Sequence, residues 1–511
     1  MSRAVVDVPV CVIGCGPIGL AGSLLLARHG VEVLIVERRS ELNTHPRSRF
    51  VDTNTMELLR ELGIEKDVEA TGLGPDWTEF NRWSDNLAVE PYAELESPTF
   101  HAVPGPDSPC LPVMTVQDEV EKALMSKVST HPSITVRFDT EAIEVSQDDD
   151  TVTVTLRNTT TGDTTTVTSR YVIGADGPGS STRDVVGAEL EAIPRPVYMQ
   201  DVIFHADLSK YVGDRKGGLL YTQPPEGVLI FQPLDGVERW RIQVSVGSPE
   251  LVSEAEILSR LAASLGTDED VDVDIQSMRM WQPTPGCVTR FRNGRVFLAG
   301  DAAHIAVPTG GLGNNSGFSG IRNLAWKLAH VLHGHADDSI LDTYEEEHRP
   351  VALERIAYGI ETTDVMGRMM IGHRRGLDIA EATEATRRYA DYDHLLRGFE
   401  MSSPIIDPEP DPAPDVTAST FTPLVRAGRR APHIWIDEAQ GESVLDWFGI
   451  DHVLLLGPDA DEAVWSDAVD RLRSTGTPLG VRRLPDADIG PYRRDEGVLV
   501  RPDGVIAAHR T

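Results

Sequence analysis

The chain has 511 residues, and at roughly 150 residues per domain this length predicts about three domains, or one large domain with satellites. It contains 47 Lys and Arg residues against 80 Asp and Glu residues, which gives a formal net charge of −33. A field of this sign repels phosphate backbones and anionic lipid surfaces, so we expect no nucleic-acid partner and no membrane partner. The four cysteines lack the paired spacing of a zinc site and the density of a disulfide scaffold, which predicts a reduced, cytoplasmic protein that binds no metal.

The chain opens with a βαβ pattern. Val8–Gly14 and Val31–Glu37 are short apolar runs typical of buried strands, and the segment between them is helical from about Pro17 to His29. The uncharged stretch from Val8 to Ala27 is long enough to span a bilayer. Its glycines and the strand that follows favour a globular fold over a signal peptide or a membrane span.

The following segments alternate between helical and strand-like patterns. Helices are predicted at 55–62 and 116–128 and from 315 to about 400, and strands at 134–145, 151–168, 171–175, 200–206, 218–222, 228–232, 239–246 and 295–299. Strands that interrupt a βαβ frame predict an α/β (α+β) fold in which an antiparallel sheet is inserted into a Rossmann-like domain. The predicted frame comprises residues 1–80, 105–130, 170–190 and 286–400. The predicted inserted sheet domain comprises 81–104, 131–169 and 191–285, and a Pro- and Asp-rich linker, 401–419, leads to an α/β unit at 420–511.

A G-x-G-x-x-G motif, Gly14-Cys15-Gly16-Pro17-Ile18-Gly19, opens the first helix directly after a strand. Gly14 allows a tight turn, Gly16 lets a pyrophosphate approach the backbone, and Gly19 permits close helix–strand packing. Glu37, which Arg38 follows, ends the next strand, where a carboxylate can hold an adenosine ribose 2′-OH and would repel a 2′-phosphate. The motif predicts FAD or NAD rather than NADP, and glycine-rich packing without a nucleotide is the alternative.

Two further motifs place an Asp at the end of a buried strand. Asp176 lies in the run Gly174-Ala175-Asp176-Gly177, and Asp301 in Leu298-Ala299-Gly300-Asp301-Ala302-Ala303-His304. Such a carboxylate can accept a hydrogen bond from a sugar-type hydroxyl. The glycine-rich run from Pro308 to Asn315 leads into a helix and supplies N–H donors at the positive end of its dipole.

In this order and separation, the three motifs resemble those of the class A FAD-dependent monooxygenases, the aromatic hydroxylases typified by p-hydroxybenzoate hydroxylase and phenol hydroxylase. The resemblance covers roughly residues 8–360. The residues that it assigns to FAD are Gly14, Gly16, Pro17, Ile18, Gly19, Glu37, Arg38, Arg47, Gln117, Asp176, Asp301, Pro308, Gly311, Leu312, Gly313 and Asn314. The run Gly428-x-x-Ala431-Pro432-His433 and the run Arg501-Pro502-Asp503-Gly504 resemble the thioredoxin-like C-terminal domain of the phenol-hydroxylase branch, which hydroxylases of aromatic polyketides often share. No cysteine follows Cys287, so this domain has no CxxC pair.

The resemblance implies an enzyme that reduces FAD with NAD(P)H, forms a flavin C4a-hydroperoxide with O2 and hydroxylates an electron-rich, polyketide-type or polycyclic phenol. The cofactor performs the difficult step, so no protein catalytic residue is predicted. Arg47 and Arg49 are candidates for the NAD(P)H phosphates, and ion pairing with neighbouring carboxylates is the alternative. His304 is predicted to be structural. Where the family usually has Asp-Ala, this chain has Gly320-Ile321, which puts hydrogen bonding or mobility on the flavin side in question.

The substrate is expected between the flavin and the inserted sheet, and the candidate contacts are Tyr221, Phe231, Gln232, Trp240 and Pro308. About half of the sheet residues must face away, because successive side chains alternate between the two faces. Baeyer–Villiger insertion, oxidative rearrangement and a non-catalytic flavoprotein that protects an intermediate are the alternative functions. A monomer or a homodimer is expected.

Overall fold

The computed structural model describes residues 7–45, 47–97, 107–195, 197–225, 227–388, 397–412 and 422–511. The strands are β1 (Val8–Ile13), β2 (Val33–Val36), β3 (Phe50–Val51), β4 (Phe80–Ser84), β5 (Ala93–Glu96), β6 (Val113–Met114), β7 (Ile134–Arg137), β8 (Thr140–Gln147), β9 (Val152–Asn158), β10 (Thr164–Gly174), β11 (Leu190–Ala192), β12 (Tyr198–His205), β13 (Leu219–Thr222), β14 (Leu229–Pro233), β15 (Arg239–Val246), β16 (Asp274–Trp281), β17 (Gly286–Val288), β18 (Arg292–Asn293), β19 (Val296–Leu298), β20 (His304–Ile305), β21 (Trp435–Asp437), β22 (Glu442–Ser443), β23 (His452–Leu456), β24 (Leu479–Arg483), β25 (Gly497–Val500) and β26 (Ile506–Arg510). The α-helices are α1 (Pro17–Arg28), α2 (Thr53–Glu61), α3 (Glu65–Glu69), α4 (Pro75–Thr78), α5 (Gln117–Val128), α6 (Thr182–Val186), α7 (Ser209–Val212), α8 (Glu254–Leu265), α9 (Leu312–His333), α10 (Thr343–Arg374), α11 (Ala380–Arg388) and α12 (Ser466–Ser474). Among these helices, none is both long enough and apolar enough to cross a membrane.

The first sheet has eight strands, and its main path runs β18-β19-β10-β1-β2-β7. The strands β1, β2, β7, β10 and β19 pair in parallel, and β1 and β2 are almost entirely buried. Near-continuous apolar runs are typical of parallel strands covered on both faces. The register pairs Ile13 with Gly174 and Gly174 with Leu298, so the carboxyl ends of β1, β10 and β19 lie side by side.

The prediction that residues 131–169 belong to the inserted sheet is wrong. Strand β7 extends the first sheet by parallel pairing with β2, and β8 and β9 join it through antiparallel pairing of β9 with β10. Alternating Thr and Val residues indicate antiparallel pairing, but alternation carries no information about which sheet supplies the partner strand.

The second sheet has seven strands in the order β16-β12-β15-β14-β13-β4-β5 and is built from chain segments 80–96 and 198–281. Every neighbouring pair is antiparallel except β13 and β4. One face packs with α8 into an apolar core that contains Phe231 and Trp240. The opposite face packs against α10 and α11 through Trp83, Tyr221 and Met366.

The C-terminal unit contains a four-stranded sheet in the order β24-β23-β25-β26. Strand β24 is parallel to β23, with α12 in the connection, and β25 and β26 are antiparallel to their neighbours. This order is that of a thioredoxin-like core.

The predicted linker is not a free connection where the structure describes it. Ile406 is buried in the core of the C-terminal unit, and Asp407 N–H donates to the carbonyl of Ala507. Proline-rich composition predicts the irregular backbone here, but packing against the last strand makes the segment part of the domain. Residues 413–419 of the predicted linker lie outside the described residues.

A buried ion cluster joins the C-terminal unit to α9 and α10. Glu347 accepts hydrogen bonds from Lys327 Nζ at 2.9 Å and from Arg501 Nη1 at 2.8 Å, and Arg501 also pairs with Asp503. All four side chains are at most 3% exposed. Burial alone would raise the pKa of Glu347, but the charges of Arg501 and Lys327 lower it below its ordinary value.

Candidate active site

The G-x-G-x-x-G turn lies at the carboxyl edge of the first sheet. Gly14 has φ of 108°, and a Cβ atom there would collide with the Ala175 carbonyl, while a Cβ at Gly19 would collide with the carbonyl of Gly14. At Gly16, by contrast, no atom lies within 4 Å of an added Cβ. Gly14 and Gly19 permit close backbone packing. Gly16 leaves open space at the N-terminus of α1, where Pro17 and Ile18 begin the helix.

Glu37 lies beside this turn at the end of β2. Its Oε2 accepts a hydrogen bond from Cys15 N–H at 3.0 Å, and its Oε1 accepts one from Arg39 N–H at 3.0 Å. These bonds fix the carboxylate next to the phosphate-binding turn, which is the position that ribose recognition requires. The side chain of Arg38 is exposed next to it.

Arg183, which was not among the predicted site residues, connects the second and third motifs. Its Nη2 donates to the carbonyl of Asp301 at 2.9 Å and its Nε to that of Ala302 at 2.9 Å. Asp176 Oδ2 accepts hydrogen bonds from Thr182 N–H and Oγ1, whereas Asp176 Oδ1 is buried and has no hydrogen-bond partner in the described ranges. The sequence feature that points to Arg183 is its position in the run Gly177-x-x-x-x-x-Arg183, directly after the second motif.

Asp301 is half-buried, and no donor among the described residues hydrogen-bonds to its carboxylate. Burial raises its pKa, and the charges of Arg47 and Arg183 act in the opposite direction. A Cβ atom at Gly313 would lie 4.0 Å from Asp301 Oδ1, so the glycine-rich loop and the carboxylate are neighbours. A carboxylate with free acceptor capacity at this edge fits a polyhydroxylated chain such as the ribitol of FAD.

The glycine-rich loop is held by Asn315, the last residue of the run from Pro308 to Asn315, which was not among the predicted site residues. Asn315 Nδ2 donates to the carbonyls of Gly311 at 2.8 Å and Phe50 at 3.1 Å. Gly311 has φ of 62°, and a Cβ there would lie 2.8 Å from Phe50 Cβ. Leu312 turns its side chain into an apolar core, so only its backbone can serve a cofactor, while Pro308 is exposed and Asn314 half-buried.

Arg47 and Gln117 lie on segments that are joined by a backbone hydrogen bond. Gln117 N–H donates to the carbonyl of Ser48 at 2.9 Å, and its side-chain amide donates to Glu121 at 2.6 Å. Burial raises the pKa of Glu121 to about 7. Arg47 is exposed, whereas its neighbour Pro46 lies outside the described residues.

The four sheet candidates for substrate contact divide between the two faces. Tyr221 stacks on Trp83 with ring centroids 4.7 Å apart, and Gln232 accepts a hydrogen bond from Arg241, which also donates to the carbonyl of Arg47. This face is turned toward α10, α11 and the segment around Arg47. Phe231 and Trp240 point to the opposite face and into the core with α8, because of the pleat of β14 and β15, so their assignment as substrate contacts is wrong.

Two further assignments concern Arg49 and His304. Arg49 is buried and donates to the carbonyl of Gly218 at 3.0 Å, so the prediction that it holds NAD(P)H phosphates at the surface is wrong. His304 is buried with its Nε2 3.2 Å from His348 Nε2, and burial lowers its pKa to about 3. Gly320, at the departure from the family pattern, faces the same His348 ring, since an added Cβ would lie 2.5 Å from its Nε2.

Two family models together match most of the chain. The FAD binding domain model matches residues 7–357, and the model of the aromatic-ring hydroxylase C-terminal domain matches residues 425–511. The chain belongs to the FAD-dependent aromatic-ring hydroxylase family. It is therefore an FAD-dependent aromatic monooxygenase, an enzyme class that consumes NAD(P)H and O2.

Relatives of known activity match over nearly the whole chain. A 4-methyl-5-nitrocatechol 5-monooxygenase of a Burkholderia species is 32% identical, over 98% of this chain and 94% of its own. A tetracenomycin B2 monooxygenase-dioxygenase of Streptomyces olivaceus is 31% identical, over 98% and 95%. The crystal structure of the flavin-dependent monooxygenase PieE in complex with FAD and substrate superposes with a TM-score of 0.87 at 26% identity, covering 99% of this chain and 96% of that one.

Proposed function

We propose that this monooxygenase hydroxylates an electron-rich polycyclic phenol of the aromatic-polyketide type. The observation that carries the proposal is the sheet face that bears Tyr221 and Gln232, which contacts the segment between β2 and β3 through Arg241 and the backbone of Arg47. That face combines aromatic and sulfur-containing side chains with a small number of polar groups, as sites for flat aromatic ligands do. The similarity to a tetracenomycin B2 oxygenase supports a polycyclic substrate, and the similarity to a nitrocatechol monooxygenase makes a single-ring phenol the competing choice.

The proposed roles of the residues follow from their contacts. Bound FAD would supply the redox chemistry, taking electrons from NAD(P)H and activating O2. The turn at Gly14 to Gly19 would bind its pyrophosphate, Glu37 the adenosine ribose and Asp301 the ribitol. N–H groups at Gly311 to Asn314 would stabilise negative charge that develops near the flavin ring. The packed sheet face would exclude water, and exposed Arg47 is the proposed contact for NAD(P)H phosphates.

The first experiment measures FAD binding and substrate-stimulated NAD(P)H consumption. Replacement of Asp301 by Ala should weaken FAD binding about tenfold or more, because a charge-assisted hydrogen bond to the ribitol is lost. Asp268→Ala, at an exposed carboxylate beyond α8, serves as the matched control and should leave FAD binding unchanged. Equal FAD affinity of the two variants would contradict the assignment of Asp301.

The substrate class is tested with polycyclic phenols and nitrocatechols assayed side by side. Incorporation of one atom from labelled O2 into an intact ring distinguishes hydroxylation from Baeyer–Villiger insertion. Faster NAD(P)H consumption with nitrocatechols than with every polycyclic phenol would overturn the proposed substrate class. We propose a monomer or a homodimer without nucleic-acid or membrane partners. Light scattering on the purified enzyme tests the oligomeric state.

A further inference from the structure

The guanidinium of Arg49 is a buried cation without a counter-charge in the described ranges of the chain. The residue is 9% exposed, and its donors reach only the carbonyl of Gly218 at 3.0 Å and the sulfur of Met114 at 3.1 Å. No described carboxylate lies within 4.0 Å of it. Burial, and secondarily the charge of Arg241, lowers the pKa of Arg49 to about 9.

The neighbouring Arg241 has the compensation that Arg49 lacks. Arg241 pairs with the buried carboxylate of Asp201, which also accepts a hydrogen bond from Gln243 at 3.1 Å. The negative charge of Asp201 is therefore paired with Arg241 and not with Arg49. Burial of an unpaired charge is costly and buried charges are normally paired, so a ligand of opposite charge would complete the pairing of Arg49.

The position of Arg49 indicates which ligand this is. The residue directly precedes Phe50, which packs on Gly311 of the cofactor loop, and its side chain crosses to Gly218 at the start of β13. On that strand its charge acts on Tyr221, whose pKa burial raises well above its ordinary value. Arg49 therefore lies between the flavin loop and the sheet face proposed for the substrate, and it points to the sheet rather than to the pyrophosphate turn.

We propose that Arg49 is a substrate-recognition residue that binds an anionic oxygen of the aromatic substrate, a phenolate or a ring carboxylate. The proposal rests on the proposed function and specifies its substrate as an anion. Tyr221, which stays protonated, can donate a hydrogen bond to the same oxygen. An ionised phenol is more electron-rich than a neutral one, so the same contact would favour attack by an electrophilic oxygen atom.

The first test compares the thermal stability of two FAD-loaded variants without substrate. Arg49→Met removes an uncompensated buried cation, so we expect an unfolding temperature equal to or above that of the unmodified enzyme. Arg241→Met, the matched control, strands the Asp201 carboxylate and should lower the unfolding temperature. A decrease for Arg49→Met as large as that for Arg241→Met would identify Arg49 as a structural residue and overturn the proposal.

The second test measures the ionisation of bound phenols, with the hydroxyanthraquinone alizarin, naphthols and nitrocatechols as probes, by absorbance difference against the FAD-loaded enzyme. Arg49 should lower the pKa of a bound phenol by about 1 to 3, so that affinity increases as the pH rises toward the pKa of the free phenol. Arg49→Gln should weaken binding of the phenols about tenfold to a hundredfold, and Arg49→Lys should retain part of the affinity that Arg49→Gln loses. Methyl ethers of the same probes should bind equally to the unmodified enzyme and to Arg49→Gln.

The competing roles of Arg49 give different results. If Arg49 served NAD(P)H, Arg49→Gln would raise KM for NAD(P)H and leave the pKa of the bound phenol unchanged. If it served the reduced flavin, the variant would change the flavin potential without substrate. Either result overturns the proposal. Failure of the proposed function is distinguishable, because then no aromatic probe would stimulate NAD(P)H consumption by the unmodified enzyme.

Discussion

Replacement of Glu347 by Gln tests whether the buried ion cluster holds the C-terminal unit in place. In the native enzyme the two cations, Lys327 and Arg501, are balanced by Glu347 and Asp503 inside a nearly inaccessible space. Glutamine keeps the shape of the side chain but removes its charge, so the cluster is left with a net charge of about +1 in low dielectric. Glu347 also accepts hydrogen bonds from Asn323 and from Ser403 Oγ at 2.6 Å, one of which the amide must lose or reorient.

The expected cost is large for a single isosteric change. Removal of one partner from a buried ion pair costs about 3–5 kcal/mol, a factor of about 10² to 10⁴ in the folding equilibrium. The pH dependence has a defined sign: the pKa of Glu347 is lowered in the folded state, so its contribution is present above the unfolded pKa of about 4.3 and is lost as the pH falls below it. The difference between native enzyme and variant should therefore shrink on acidification.

Urea unfolding of the FAD-loaded enzyme, followed by tryptophan fluorescence and flavin release, measures this cost. Glu191→Gln is the matched control, because Glu191 is 59% exposed and pairs with Arg349 on the same helix as Glu347. An exposed pair of this kind contributes about 0–1 kcal/mol. A loss for Glu347→Gln no larger than that for Glu191→Gln would refute the reasoning that the cluster holds the domains together.

Three other perturbations follow from buried contacts. Gly320→Ala should lower the unfolding temperature, since overpacking costs about 1–3 kcal/mol, and His348→Ala should relieve part of that loss in a double-mutant cycle. Glu121→Gln should stabilise the flavin-free protein at pH above about 7 and not at pH about 4. The pKa of Glu121 is raised in the folded state, so the native protein loses stability as the pH rises from the unfolded-state pKa to the folded-state pKa, and glutamine avoids this loss. Equal shifts of the urea midpoint at both pH values would contradict this. Tyr221→Phe should raise KM for the aromatic substrate without loss of stability, whereas Trp240→Phe should lower the unfolding temperature and leave KM unchanged; the opposite pattern would reverse the assignment of the two sheet faces.

The cofactor edge could be predicted from sequence because its marks are local. Gly14, Asp176 and Asp301 each lie within three residues of the end of a buried strand, and the carboxyl ends of neighbouring parallel strands meet at one edge. Each motif is thus marked by a strand and a turn that are adjacent to it in the chain. Arg183 and Asn315, which join the motifs, were not selected, because each contacts a carbonyl group that lies far away in the chain.

The substrate side could not be predicted in the same way. Phe231 and Gln232 are adjacent in β14 and are both buried, yet the pleat turns one toward α8 and the other toward Arg241 on the opposite face. Arg47 and Arg49 likewise stand two residues apart, one exposed and one buried under the second sheet. Which face is covered depends on packing between elements more than 100 residues apart, and no local pattern records it.

Gly320 and Ile321, which stand where the family usually has Asp-Ala, both pack closely against a neighbouring helix. A Cβ atom at Gly22 of α1 would lie 2.5 Å from Ile321 Cγ1, so the larger side chain on α9 requires the glycine opposite it. On the other side, the His348 ring fills the space that a side chain at position 320 would occupy. His348 and His304 both have pKa values lowered by burial, so the pair is neutral and needs no carboxylate as a counter-charge. A carboxylate at position 320 would face this neutral pair, in which His348 belongs to α10 and His304 to β20.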